Sequence, residues 1–333
     1  MRRRRIWSET VPYPTVTSAR TLALLKRYEL GVLLAVRPDT VDGLPGALER
    51  LAGEGIATSV WPMLDDADGR WANAKNHGVF AGFARRVADA ADAARGAWAS
   101  EIVVDLEPAI EDVRAALGSV RAAGRLLESV ADGTRLAGAR DAFATLAREM
   151  LERGVITTAV AVPMVLLDRD ASARWQGLLG TPLDGPSWSN VNVMLYTSIL
   201  EGWSRGLFDR RGATSVLAAA CRATAERFGP RGSVSLGAVG VGAFGDEPTY
   251  RSPSELARDV GIARAAGVDD LTLFDLGGVL SRGPSEAWLD AFVETMPDPL
   301  PPPESLRGRA AMSFASLTGA SLEWIAPLLR RKG

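Results

Sequence analysis

Eight short apolar runs recur along the chain: Ile6 to Glu9, Gly31 to Val36, Ile56 to Trp61, Ile102 to Asp105, Val155 to Val162, Val191 to Tyr196, Val234 to Val241 and Leu271 to Phe274. Their length and β-branched content predict strands. Longer stretches with a period near 3.6 lie between them, including Ala47 to Ala52, Val79 to Ala94, Ala213 to Phe228 and Ser254 to Ala266. Each ends near a glycine, as a helix C-terminus does. Eight strands alternating with helices predict a (β/α)8 TIM barrel.

Two places depart from a simple strand, helix and two loops. Residues 109–154 are long enough for two helices broken around Ala131-Asp132-Gly133-Thr134, which predicts a helical insertion after strand four. Leu64 to Asn76 is a polar loop rich in Asp, Asn and Gly. After Met296 the chain changes character, so residues 1–296 are assigned to the barrel and residues 297–333 to a Pro-rich linker and a C-terminal helix. That helix, Ala311 to Arg330, has Leu317, Leu322, Ile325, Leu328 and Leu329 as apolar positions and Pro327 as a kink or stop. It either packs on the barrel or docks a partner or membrane surface, with Arg330, Arg331 and Lys332 beside it.

Composition narrows the chemistry. The chain has 333 residues, 47% of them hydrophobic, and no apolar run near the roughly 18 residues a transmembrane segment needs. A net charge of -2 gives no bulk attraction for nucleic acid. Cys221 stands alone, so no disulfide forms within the chain. His77 stands alone too, which excludes zinc sites built from several histidines and leaves Asp, Glu or Tyr for acid/base work. No Gly-rich phosphate loop of the Walker or dinucleotide type appears, and no cofactor is expected. The opening arginines are followed by a stretch too short and polar for a signal peptide, so the expected location is cytoplasmic, or envelope or secreted where an upstream leader has been removed.

The chemistry-bearing segment is Glu101-Ile102-Val103-Val104-Asp105-Leu106-Glu107-Pro108. Alternation sends Asp105 and Glu107 to one face and Ile102, Val104 and Leu106 to the other, and Pro108 ends the ladder. Active sites of such barrels form at the C-terminal strand ends and the loops after them. That rule collects Glu9 from strand one and Trp61, Asp65, Asp66, Trp71, Asn73 and Asn76 from strand three and its loop. It adds Tyr196 and Trp203 from strand six and its loop, Asp246 and Glu247 after strand seven, and Asp275 after strand eight. On strand six, Asn192, Met194 and Tyr196 share the face opposite Val191, Val193 and Leu195. Trp188 precedes that strand and belongs at the opposite end. Acids and amides that bind hydroxyls, with indoles that stack on sugar rings, suit a carbohydrate ligand. Asp65, Asp66 and Asp105 could instead present oxygens to a hard cation, although no metal is assigned.

Asp-x-Glu at the end of strand four, Asp105-Leu106-Glu107, and Met-x-Tyr on strand six, Met194-Leu195-Tyr196, resemble the family 18, chitinase-like glycoside hydrolases. The resemblance implies Glu107 as general acid, Asp105 orienting a substrate acetamido group, and Tyr196 assisting, with the acetamido oxygen as nucleophile. Ser100 and Val103 stand where that family has two further aspartates, Thr197 where it has an acid, and Phe274 where a tryptophan floors its pocket. A pair in which Glu9, Asp246 or Asp275 is the second carboxylate stays open. So do a barrel that binds carbohydrate without cleaving it, and an unrelated, metal-assisted barrel enzyme.

Overall fold

A computed structural model of the chain describes residues 3–94, 96–118, 133–168, 174–204, 206 and 208–298. Eight parallel strands close in sequence order into a barrel, as predicted. They are β1 (Arg4–Ser8), β2 (Gly31–Val36), β3 (Thr58–Pro62), β4 (Glu101–Leu106), β5 (Ile156–Ala161), β6 (Asn190–Leu195), β7 (Gly232–Leu236) and β8 (Leu271–Leu273). The Pro-rich linker and C-terminal helix fall outside the described residues apart from 297 and 298, as do Ala131 and Asp132 of the predicted break, whose Gly133 and Thr134 instead open a helix. Two described helices, Ile110–Gly118 and Gly133–Glu152, follow β4 before β5.

Strand alternation builds two apolar layers. Outward residues such as Ile102, Val104, Leu106, Val191, Val193 and Leu195 pack under the helices. Inward residues Trp7, Leu33, Trp61, Val103, Val160, Met194 and Phe274 fill the barrel interior. The lower barrel is closed by a buried polar plug. Glu101, the first residue of β4, takes Arg5 Nη1 at 3.1 Å and the Ser59 hydroxyl at 2.8 Å, and also the Thr158 hydroxyl. Burial pushes the Glu101 carboxyl up, but Arg5, Thr158 and Ser59 outweigh it and hold the group below its ordinary value.

β7 ends earlier than its apolar pattern extends. The predicted run reaches Val241, yet the strand stops at Leu236 because the glycines beyond it turn across the barrel mouth. A Cβ on Gly240 would lie 2.6 Å from the Gly278 backbone, and one on Gly242 would lie 2.8 Å from Glu9 and 2.9 Å from Phe274. Only glycine permits these approaches. The loop so folded carries Phe244 and Glu247 back over the strand ends.

Candidate active site

The C-terminal mouth of the barrel opens into a cavity of about 1460 Å³. Five indoles, Trp7, Trp61, Trp71, Trp175 and Trp203, line it together with Met194, Tyr196, Phe244 and Phe274. Trp7 and Trp61 meet edge to face at 4.6 Å, Trp203 stands perpendicular to Phe244 at 5.5 Å, and Tyr196 lies 5.2 Å from Phe274. Glu9, Asp105, Glu107 and Glu247 bring carboxyl groups to this aromatic bowl, and Glu226 also lines the cavity.

The surroundings of Glu107, Glu9 and Asp105 set the protonation of those three groups. Glu107 sits just past β4, and desolvation pushes its carboxyl from 4.5 to about 8, with Glu9 adding to the rise and Arg70 opposing it. Glu9 is likewise pushed to about 8 by burial, against the pull of Arg70, whose guanidinium lies 3.3 Å away. Asp105 is raised well above its ordinary value by burial, then by Glu107 and Glu9, with the Trp61 indole opposing. Glu9 and Glu107 therefore hold protons near neutral pH, and Asp105, raised by the same neighbours, titrates with them as a coupled set. The Trp61 indole lies close enough to Asp105 to favour its ionised form, yet Trp61 Nε1 and Asp105 Oδ1 are buried without reaching hydrogen-bond geometry, and Glu247 Oε2 is likewise buried without a partner among the described residues. Three orphaned polar atoms around one cavity offer contacts to a polar ligand.

Glu101 and Asp105 lie on the same face of one strand and show how position decides role. The lower acid is neutralised by Arg5 and two hydroxyls, whereas the upper one lacks a cation of its own. Arg70 reaches the cluster directly, and Arg37 pulls on Glu9 more weakly. Arg70 bridges Glu9 to Asp66, 2.6 Å away, and adopts a φ of 60° in the loop after β3. The Tyr196 hydroxyl is raised by burial and then by Asp105, Glu107 and Glu9. Behind it, Asp259 accepts Arg210 Nη2 at 2.7 Å, the Tyr250 hydroxyl at 2.7 Å, and the Thr197 hydroxyl. This network anchors the helix Thr197–Trp203 directly after Tyr196.

The structure thus brings together Glu9, Trp61, Trp71, Asp105, Glu107, Met194, Tyr196, Trp203, Glu247 and Phe274. Other sequence candidates lie elsewhere. Asp65 is at the rim, 3.1 Å from Arg37, and Asp66 holds Arg70 and Arg114. Asn73 is buried in loop hydrogen bonds with Trp71 and Lys75. Asn192 sits below the cavity, donating to Ser233 at 2.9 Å and accepting from Ser235 at 2.6 Å. Asp246 is exposed. Asp275 caps the helix Leu276–Ser281 through the Gly278 amide at 3.0 Å, and burial raises it to about 6. Asp65 and Asp66 are thus engaged with arginines at the rim, apart from the buried Asp105, and no cluster of three or more His, Cys, Asp or Glu among the described residues could hold a metal ion. Sequence reasoning missed Trp7, Arg70 and Phe244.

No protein-family model and no curated protein matches the sequence. Solved structures do. The chain is similar to the PgaB (BpsB) glycoside hydrolase domain from Bordetella bronchiseptica, with 12% identity over 88% of this chain and 99% of that one and a TM-score of 0.51. It is also similar to a GH18 chitinase from Pseudoalteromonas aurantia, at 11% identity, 88% and 100% coverage and a TM-score of 0.48. A D-allulose 3-epimerase from Methylomonas sp. matches at 12% identity, 94% and 98% coverage and a TM-score of 0.46. At such identities the likeness is one of fold.

Proposed function

We propose that the barrel hydrolyses a glycosidic bond, with Glu107 as proton donor. What carries this reading is a carboxyl that burial and Glu9 hold protonated to about pH 8 at the mouth of a cavity lined by five indoles. A general acid working near neutrality needs such a pKa, and indole faces suit sugar rings. Glu107 gives its proton to the glycosidic oxygen as the bond from that oxygen to the anomeric carbon breaks. The acetamido oxygen of a 2-acetamido sugar then closes on the anomeric carbon, oriented by Asp105 and assisted by Tyr196. Water finally attacks that carbon, the bond to the acetamido oxygen breaks to restore the acetamido group, and the water's proton goes to Glu107.

A second reading is favoured by Glu9, which faces the same cavity and is the neighbouring charge that most raises Glu107. In it, Glu9 is the member of the coupled set that gives up its proton first, so that it supplies the second carboxylate while Glu107 stays protonated, and no acetamido group is required. Asp246 and Asp275 suit that role less, since one is exposed and the other caps a helix.

The test uses oligosaccharides with and without 2-acetamido groups, scored for reducing-end release and binding. Glu107→Gln should abolish release and leave binding within about threefold. Wild-type release by that variant defeats the assignment, and binding without any release by the wild type identifies a non-catalytic carbohydrate-binding barrel. Glu9→Gln separates the two readings, because only the carboxylate-pair reading requires loss of turnover on sugars that lack the acetamido group.

A further inference from the structure

The cavity is lined by both faces of β6, and this shows how it changes character. Met194 belongs to the barrel interior and Leu195 to the outer layer, yet both border the same space, which therefore wraps over the end of the strand. Outside the barrel it continues as a groove, with Leu166, Leu167 and Trp175 on one wall and Val216, Ala219 and Ala223 on the other. The second wall belongs to the helix Arg210–Phe228, which connects two parallel strands and so runs from the barrel mouth toward its foot. From Ala213 to Glu226 its lining face covers about 20 Å. Among the described residues of the groove, Thr197, Arg222 and Glu226 carry the polar side chains apart from the Trp175 indole. The Thr197 hydroxyl donates to Asp259 and accepts from Arg210, and Arg222 and Glu226 are exposed. One continuous space thus joins a bowl of carboxyl groups to an aliphatic groove.

The geometry points to an amphiphilic substrate: a sugar that lies in the bowl and carries, on the oxygen that Glu107 protonates, an apolar chain that lies in the groove. This inference rests on the hydrolase reading and specifies its substrate class as glycosides of long-chain alcohols. Continuity favours that occupant, because sugar and chain of one molecule fill the two parts together. Size favours it as well. At about 1460 Å³ the cavity exceeds the roughly 300 to 1,000 Å³ of ordinary ligand pockets, so a sugar confined to the bowl leaves the groove unused. A second sugar suits the groove poorly, since its hydroxyls would leave water without partners on aliphatic walls. Methylenes placed there gain from leaving water. Met164, which is 36% exposed, carries the apolar lining out to the rim, where such a chain enters.

The experiment titrates methyl and octyl thioglycosides of N-acetylglucosamine and of glucose, which resist hydrolysis, into the full chain below micelle-forming concentrations. A methylene half-shielded by the groove contributes about twofold in affinity, so the octyl compound of at least one sugar should bind roughly 100-fold tighter than its methyl counterpart in calorimetry. An octyl thioglycoside with a diazirine at its chain end should photolabel residues 162–167 or 213–226 of the wild type. Equal affinity at both lengths, no binding at either length, or label confined to other segments overturns the proposal. Equal affinity assigns the groove to protein instead. Failure of the hydrolase reading has a different signature: the length dependence and the label persist, while Glu107→Gln releases sugar from octyl O-glycosides as the wild type does, or neither protein cleaves them.

Discussion

Replacing Glu107 by Gln should change how stability depends on pH, and the sign follows from where the proton sits. In the unfolded chain the Glu107 carboxyl ionises at its ordinary 4.5, while in the fold it keeps its proton to about 8. Between those values the folded state binds more protons than the unfolded state, so stability falls as pH rises. One retained proton costs about 1.4 kcal/mol per pH unit. The interval from 4.5 to about 8 therefore caps the loss from this group at about 5 kcal/mol, complete above pH 8 and absent below pH 4.5. Solvent reaching the half-buried side chain reduces that ceiling. Gln carries no such titration. Urea unfolding at pH 4, 6, 8 and 9 should show Glu107→Gln gaining on the wild type by several kcal/mol between the first and last conditions. Parallel curves for the two proteins would refute the claim that burial and Glu9 hold Glu107 protonated, and with it the basis for its role as acid.

Other perturbations probe the same site. Arg70→Met removes the cation that lowers Glu9 and Glu107, so both carboxyls rise further; if turnover is found, its alkaline limb should move to higher pH, and a downward move refutes the assignment. Trp71→Ala should weaken oligosaccharide binding by about 1 to 3 kcal/mol in calorimetry, the usual scale for a large aromatic contact. Gly240→Ala drives a Cβ to within 2.6 Å of the Gly278 backbone and should destabilise the fold by about 1 to 3 kcal/mol in urea. Gly46→Ala, with nothing within 4 Å of the added carbon in a helix, should be neutral or slightly stabilising in the same assay.

What was legible in the sequence followed from periodicity. Alternation along β4 and β6 placed Asp105 and Met194 inside and Leu106 and Leu195 outside, and eight strand signals sufficed for the barrel. The same rule applied to Ile6-Trp7-Ser8-Glu9 puts Trp7 beside Glu9 on the inner face, so Trp7 was open to the same inference. Loops carry no such period. Asp65, Asp66, Asn73 and Asp246 lie in rim loops, but composition cannot say which way a loop side chain turns, and these turn to arginines, backbone or solvent. Asp275 followed β8 as expected, yet the helix that starts beside it claims its carboxylate as a cap. Arg70 had the weakest signal of all. Its place against Glu9 depends on a left-handed backbone turn and on Asp66 four residues earlier, neither of which a hydropathy pattern encodes. The strands therefore fix where the acids stand, whereas the loop after β3 decides how strongly they hold their protons. Loop substitutions around Arg70 should accordingly retune the titration of Glu107 without moving it.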